Sequence, residues 1–322
     1  MQIQTALVGS YPRPVNIAKV LSKLKSGKIE KQKAEKEIEK FLNKYFRFAK
    51  DNGLDYVTDS MIEWDDIADL TTSFLKGVEK GALERFFDNN FYYRRIVIKD
   101  RLQYNENNEY IIYLERARKM SNLKLKAVVL GPLTFSVLSD DLYYKKNIKN
   151  LFEDYAMVVN TLLKEARNYY DVIEIHEPAI FSKGIKKDLI EPLRTYYNSM
   201  LKDINAETHV LSYFDLRFDR INAYLNLPVN VYGFDVTESN KVKLGRLYRF
   251  IKDKEVYFGV LDSRNTKLER ISTIKRIVLS AYQKGAKRVI IGNSTFNDLI
   301  PEVIVKRKFK LLKRGKEMIL NG

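Results

Sequence analysis

Short apolar runs alternate with longer amphipathic stretches along most of this chain of 322 residues. Runs rich in β-branched residues occur at 6–9 (ALVG), 55–59 (DYVTD), 125–132 (LKAVVLGP), 171–178 (DVIEIHEP), 208–214 (THVLSYF), 228–235 (PVNVYGFD), 255–262 (EVYFGVLD) and 287–294 (KRVIIGNS). Each is followed by a segment with helical spacing. In EKQKAEKEIEKFLNKYFRFAKD the apolar positions Ile38, Phe41, Leu42, Tyr45 and Phe48 recur every three or four residues, which places them on one helix face. Asn52-Gly53 ends that helix, because glycine accepts the left-handed backbone of a helix terminus. Strands this apolar are covered on both faces, as a parallel sheet requires. About eight strand–helix units in one chain of this length predict an α/β fold, a (β/α)8 TIM barrel spanning 1–322 as a single domain. An open doubly wound sheet is the second choice, and without a GxGxxG or Walker A sequence a nucleotide-binding version has little support.

The rhythm pauses between the second and third runs. FYYRRIVI at 91–98 and YIIYL at 110–114 flank a polar turn, Asn105 to Asn108. Two strand-like runs around a turn predict a β-hairpin inserted after the second strand, within residues 64–120.

Barrel enzymes carry their chemistry at the C-terminal ends of the strands. The polar residues falling there are Ser10, Arg13, Asp59, His176, Glu177, His209, Asp235, Glu238, Asp262, Arg264, Asn293 and Ser294. Each taken alone could equally be a helix cap or half of an ion pair. Together they predict a polar mouth without specifying a reaction.

Composition narrows the chemistry. There are no cysteines, so disulfides, thiolate metal sites and a cysteine nucleophile are all excluded. Lys and Arg number 57 against 41 Asp and Glu, a net charge of +16. Such a surface attracts nucleic acid, a polyanionic small molecule or an acidic partner, or is simply a solvated basic exterior. No RNA-binding motif accompanies the lysines, so nucleic acid is not the expected partner. No apolar run is long enough for a membrane span and the N-terminus lacks a signal-peptide pattern, so the expected location is cytoplasmic.

Several stretches resemble the cobalamin-independent methionine synthases over nearly the whole chain: VGSYPRP at 8–14, GLDYVTDSMIEWDD at 53–66, RFFDNNFYYR at 85–94, VLGPLTFSVLS at 129–139, IHEPAI at 175–180, GVLDSRNTKLE at 259–269 and NSTFNDLIPE at 293–302. Long members of that family contain two related barrels. The second is catalytic and holds zinc through a histidine, two cysteines and a glutamate. The zinc binds homocysteine as thiolate, which attacks the methyl group of a methylated folate or related pterin. The first barrel is degenerate and helps to hold the charged folate tail. The stretches at 85–94, 263–269 and 293–302 are similar to the first barrel.

The resemblance implies a methionine-biosynthetic methyltransferase fold in which this chain is the N-terminal-type half, working with a separate zinc-bearing catalytic barrel. It places His209 at the zinc histidine and Glu238 near the zinc glutamate, with Leu211 in place of a cysteine and no second cysteine near 293–295. His209 and Glu238 are therefore weak metal candidates, and no cofactor is assigned. Met61 stands where the catalytic barrel has a glutamate, and His176 where it has an aspartate. The candidate substrate-binding residues are Ser10, Arg13, Lys19, Asp59, His176, Glu177, Asp235 and Arg264, with an acidic methylated pterin or folate as ligand. Whether the chain is an enzyme by itself stays open. The alternatives are an independent methyltransferase with another donor or acceptor, and a basic RNA-binding barrel.

Overall fold

In a computed structural model, eight parallel strands close into a barrel. The structure describes residues 2–87, 89–145 and 147–321; Asp88, inside the aromatic stretch at 85–94, lies outside the described residues, as do the two termini of the 1–322 span. The strands are, in chain order, β1 (Ile3–Ala6), β2 (Tyr56–Val57), β3 (Leu75–Arg85), β4 (Tyr92–Tyr104), β5 (Lys124–Leu130), β6 (Ser139–Asp141), β7 (Val172–His176), β8 (Glu207–Ser212), β9 (Val231–Asp235), β10 (Glu255–Leu261) and β11 (Arg288–Asn293). The barrel runs β1-β2-β5-β7-β8-β9-β10-β11 and closes where Ile3 to Ala6 pair with Val289 to Gly292. Every residue of β7 and β9 is buried, so both faces of these strands are covered, as their largely apolar runs require.

The first helices show how local sequence builds the outer layer. After α1 (Val15–Lys25), α2 (Lys31–Asp51) buries Ala34, Ile38, Phe41, Leu42, Tyr45, Phe46 and Ala49 against the barrel. Its end is a Schellman turn: Gly53, at φ 64°, donates to Lys50 O, and Leu54 donates to Ala49 O.

Between β2 and β5 lies a small separate sheet in which β3 and β4 pair antiparallel and β6 joins β4 in parallel. The expected pairing of 91–98 with 110–114 is overturned. The partner of β4 is the more polar stretch 75–85, and 110–114 belongs to a helix. With α3 at Ile67–Ser73, this helix is α4 (Glu109–Met120). The Asn108 side chain accepts from Ile111 N–H and caps it, and Tyr110, Leu114 and Ala117 form a buried stripe of period near 3.6. Two more helices, α5 (Pro132–Val137) and α6 (Ile148–Glu165), follow β5 and β6. Among the described residues, no helix is long and apolar enough to cross a membrane.

Candidate functional site

Inward-pointing side chains fill the barrel in layers. At the N-terminal end, Arg288 is paired with Glu207 and Glu255, the first residues of their strands. His209 Nε2 lies 2.7 Å from Glu207 Oε1, and its ring meets Tyr56 edge-on. Burial pushes the His209 pKa down, against the pull of Glu207. Burial would raise the Glu207 carboxyl, but His209 and Arg288 hold it at about 2.

One layer further up sits a second polar group with no solvent exposure. Glu174 is ion-paired with Lys126, accepts from Gly9 N–H at 2.7 Å, and lies 2.8 Å from His176 Nε2. A carboxylate can only accept, so Nε2 of His176 carries a proton. Nδ1 faces the Tyr213 hydroxyl at 3.2 Å.

Above this network the mouth is closed by aromatic rings. Phe296 stacks on His176, with centroids 4.7 Å apart and planes 16° from parallel. Phe86 packs on Tyr213, Phe214 and Phe296, and Phe91 on Phe296. Phe86 and Phe91 come from the tip joining β3 to β4, where Phe86 N–H donates to Phe91 O. The hairpin therefore folds its tip over the barrel. Gly9, at φ 62°, is required beneath it, because any Cβ there would run into the Phe296 ring.

Two recesses flank this plug. One is a cavity of about 160 Å³ between the hairpin tip and the loop after β2, lined by Ser10, Met61, Trp64, Asp66, Phe86, Phe91, Phe296 and Asp298 among others. The loop is strained: Ser60 and Met61 both have positive φ, 78° and 56°. The other is an open cleft of about 750 Å³ on the opposite side of the hairpin, bordered by Arg85, Arg95, Lys183 and Lys243 and floored by Tyr213 and Phe214. Lys243 is held by Asp215 at 2.7 Å, and Arg95 by Glu84 and Asp140.

The candidate residues divide between these places. Ser10 lines the cavity and donates to Asp298 at 2.5 Å. Arg13 does not reach a recess with a free head group; it binds Ile62 O, Trp64 O and Asp65, and so shapes the loop bounding the cavity. Asp59 is buried behind the strained loop, where it accepts from Met61 N–H; burial raises its pKa to about 6. Asp235 and Arg264 do meet at the mouth. Arg264 Nη2 donates to Asp235 Oδ2 and Thr237 Oγ1, each at 3.0 Å, and lies 3.4 Å from the half-exposed Glu238. Burial raises the Asp235 pKa more than Arg264 lowers it.

Four placements differ from expectation. Lys19 is exposed on α1 and lines neither recess. His176 points inward but is sealed under Phe296. Glu177, one residue on, points to the opposite side of the strand: its carboxylate accepts from Thr134 N–H and Oγ1 at the start of α5 and from the Tyr197 hydroxyl at 3.1 Å. Burial pushes its pKa to about 7 despite these donors. His209 lies at the N-terminal end of the barrel rather than in the mouth, because it sits only two residues into β8.

These positions do not fit the family's zinc. Leu211, two residues on from His209 on the same face of β8, offers only an apolar side chain packed with Val172, Val231 and Tyr257; Glu238 is engaged by Arg264, and the His209 ring is engaged by Glu207. Among the described residues, no group of three or more His, Asp or Glu side chains is placed to hold a metal ion. Sequence reasoning missed Lys126, Glu174, Phe296 and Asp298. The alternation in DVIEIHEP, with Glu174 two residues before His176, was the available signal for one of them.

Comparison with known proteins agrees with this architecture. The chain is 26% identical to the methionine synthase of Sulfolobus acidocaldarius over 284 residues, 84% of this chain and 78% of that protein. It is 26% identical to the methionine synthase of Sulfurisphaera tokodaii over 98% of this chain and 92% of that one. A B12-independent methionine synthase from Shewanella sp. W3-18-1, solved in complex with selenomethionine, shares the fold with a TM-score of 0.82 at 15% identity, covering 100% of this chain and 98% of that chain. Residues 76–284 match the sequence profile described as cobalamin-independent synthase, N-terminal domain. That match spans well over half of the chain, which therefore belongs to the cobalamin-independent methionine synthase family as a protein of the N-terminal-domain type.

Proposed function

We propose that this chain is the metal-free half of a cytoplasmic methionine synthase, serving methionine biosynthesis beside a separate zinc-bearing catalytic barrel. The observation that carries the reading is the mouth itself. Where a catalytic barrel needs an open metal position, aromatic rings from the β3–β4 tip and from Phe296 close the barrel over His176. Homocysteine activation as a thiolate is the work of a metal or a base beside the sulfur; among the described residues no metal-ligand group is assembled, and His176 is sealed beneath Phe296.

In this reading the chain contributes donor binding. The cleft bordered by Arg85, Arg95, Lys183 and Lys243 suits the carboxylates of a methylated folate or pterin with an acidic tail, and the partly exposed Phe214 offers a ring to its flat head. The test is methyl transfer from a methylated triglutamyl folate to homocysteine, by the chain alone, by a zinc-bearing barrel alone and by the two mixed. The mixture is expected to exceed either component. Lys183→Glu is expected to raise KM for the donor several-fold in the mixture with kcat little changed. Turnover by the purified chain alone would overturn the proposal.

A further inference from the structure

The small cavity has a composition unlike the rest of the protein. In a chain of net charge +16, its lining includes Asp65, Asp66 and Asp298 and, among the described residues, no Lys, Arg or His. The three carboxylates are not equivalent. Asp65 is neutralised by Arg13 and Lys25. Asp66 caps α3 by accepting from Asp69 N–H and also accepts from Arg94 N–H. Asp298 is solvent-accessible, has no ion-pair partner among the described residues, and is oriented by the Ser10 hydroxyl. The rings of Trp64, Phe86, Phe91 and Phe296 line the same cavity.

A carboxylate set among aromatic rings selects for a cation with an apolar surface, because ring faces attract positive charge and the rings also bury methyl groups. A hard metal ion is a poor match, since no three-ligand acidic or imidazole group is present among the described residues. A zwitterionic amino acid is equally poor, since its carboxylate would meet no cationic side chain in the cavity. The volume, about 160 Å³, is close to that of engineered cavities that hold a six-carbon ring, so about four to seven heavy atoms fit. We propose that this cavity binds a small methylated onium cation, a quaternary ammonium or a sulfonium, with Asp298 as counter-ion and Trp64, Phe86, Phe91 and Phe296 as the cage. The site is separate from the basic cleft and does not depend on the donor-binding reading.

Trp64 is the sole tryptophan of the chain, so its emission reports on the cavity directly. The experiment titrates the full chain with tetramethylammonium chloride and with trimethylsulfonium chloride, against sodium chloride at matched ionic strength, tert-butyl alcohol as the neutral analogue, and methionine. Broadening of the ligand methyl resonance serves as a second readout. Saturable binding of at least one onium ion is expected, at least tenfold tighter than tert-butyl alcohol or methionine. Asp298→Asn should weaken it at least tenfold, and Phe91→Leu several-fold, in protein shown to be folded by circular dichroism. Absence of saturation in both readouts, equal binding of the neutral analogue, tighter binding of methionine, or unchanged affinity in both variants would each overturn the proposal.

Discussion

The ion pair sealed inside the barrel gives the sharpest stability test. Lys126 and Glu174 have no solvent exposure, and Lys126→Met removes the cation while keeping the shape of the side chain. Glu174 would then keep Gly9 N–H and His176 but lose its counter-ion. Breaking a buried pair from one side costs about 3–5 kcal/mol, because the remaining charge stays desolvated. Burial alone would raise the Glu174 carboxyl, yet Lys126 and His176 hold it below its ordinary value, so the direction of its shift agrees with a pair that favours the charged carboxylate. For a chain of this length, that loss lowers the melting temperature by about 4–7 °C. Adding Glu174→Gln removes the stranded charge while keeping an acceptor for Gly9, so the double variant should recover about 1–2 kcal/mol. The sign with pH is also fixed. A depressed carboxyl contributes stability above its unfolded pKa and loses it as pH falls toward the folded value, so the wild type should lose this stability between about pH 4.5 and 2 and Lys126→Met should lose much less. Calorimetric melting across that range, with urea titration at pH 7, measures all three proteins. A single variant costing under about 1 kcal/mol, or a double variant no better than the single, would refute the reasoning.

Two further outcomes concern residues around the mouth. Glu177→Gln keeps an oxygen for Thr134 and an amide for the Tyr197 hydroxyl; since burial raises Glu177 to about 7, the wild type loses stability as pH rises from about 4.5 through 7, and the variant should gain on it by up to about 3 kcal/mol over that interval in urea titrations. Gly9→Ala places a Cβ against Phe296 at positive φ, so it should cost about 1–3 kcal/mol and quicken exchange of the Phe86 and Phe91 amides, read by hydrogen exchange.

Much of the barrel was legible in the chain. Its strand runs had to be covered on both faces, α2 carried its own stripe and stop signal, and the absence of cysteine removed thiolate chemistry before any geometry was known. The candidate site was less legible. Local pattern places a residue on a strand, but the pleat decides which way it points, and one step separates His176, sealed in the barrel, from Glu177, which caps α5. The end of the strand matters as much: His209 looked like a mouth residue, yet its place two residues into β8 puts it among Glu207, Arg288 and Tyr56 at the opposite end. The apolar run at 110–114 read as a strand because its helical period shows only when the window extends to Ala117. Only closure of the barrel brought Phe86, Tyr213 and Phe296 together, and only the hairpin's fold over the mouth left an acidic cavity on one side and a basic cleft on the other. Contacts between residues more than a hundred positions apart depend on strand order and loop path, which no short window of sequence encodes.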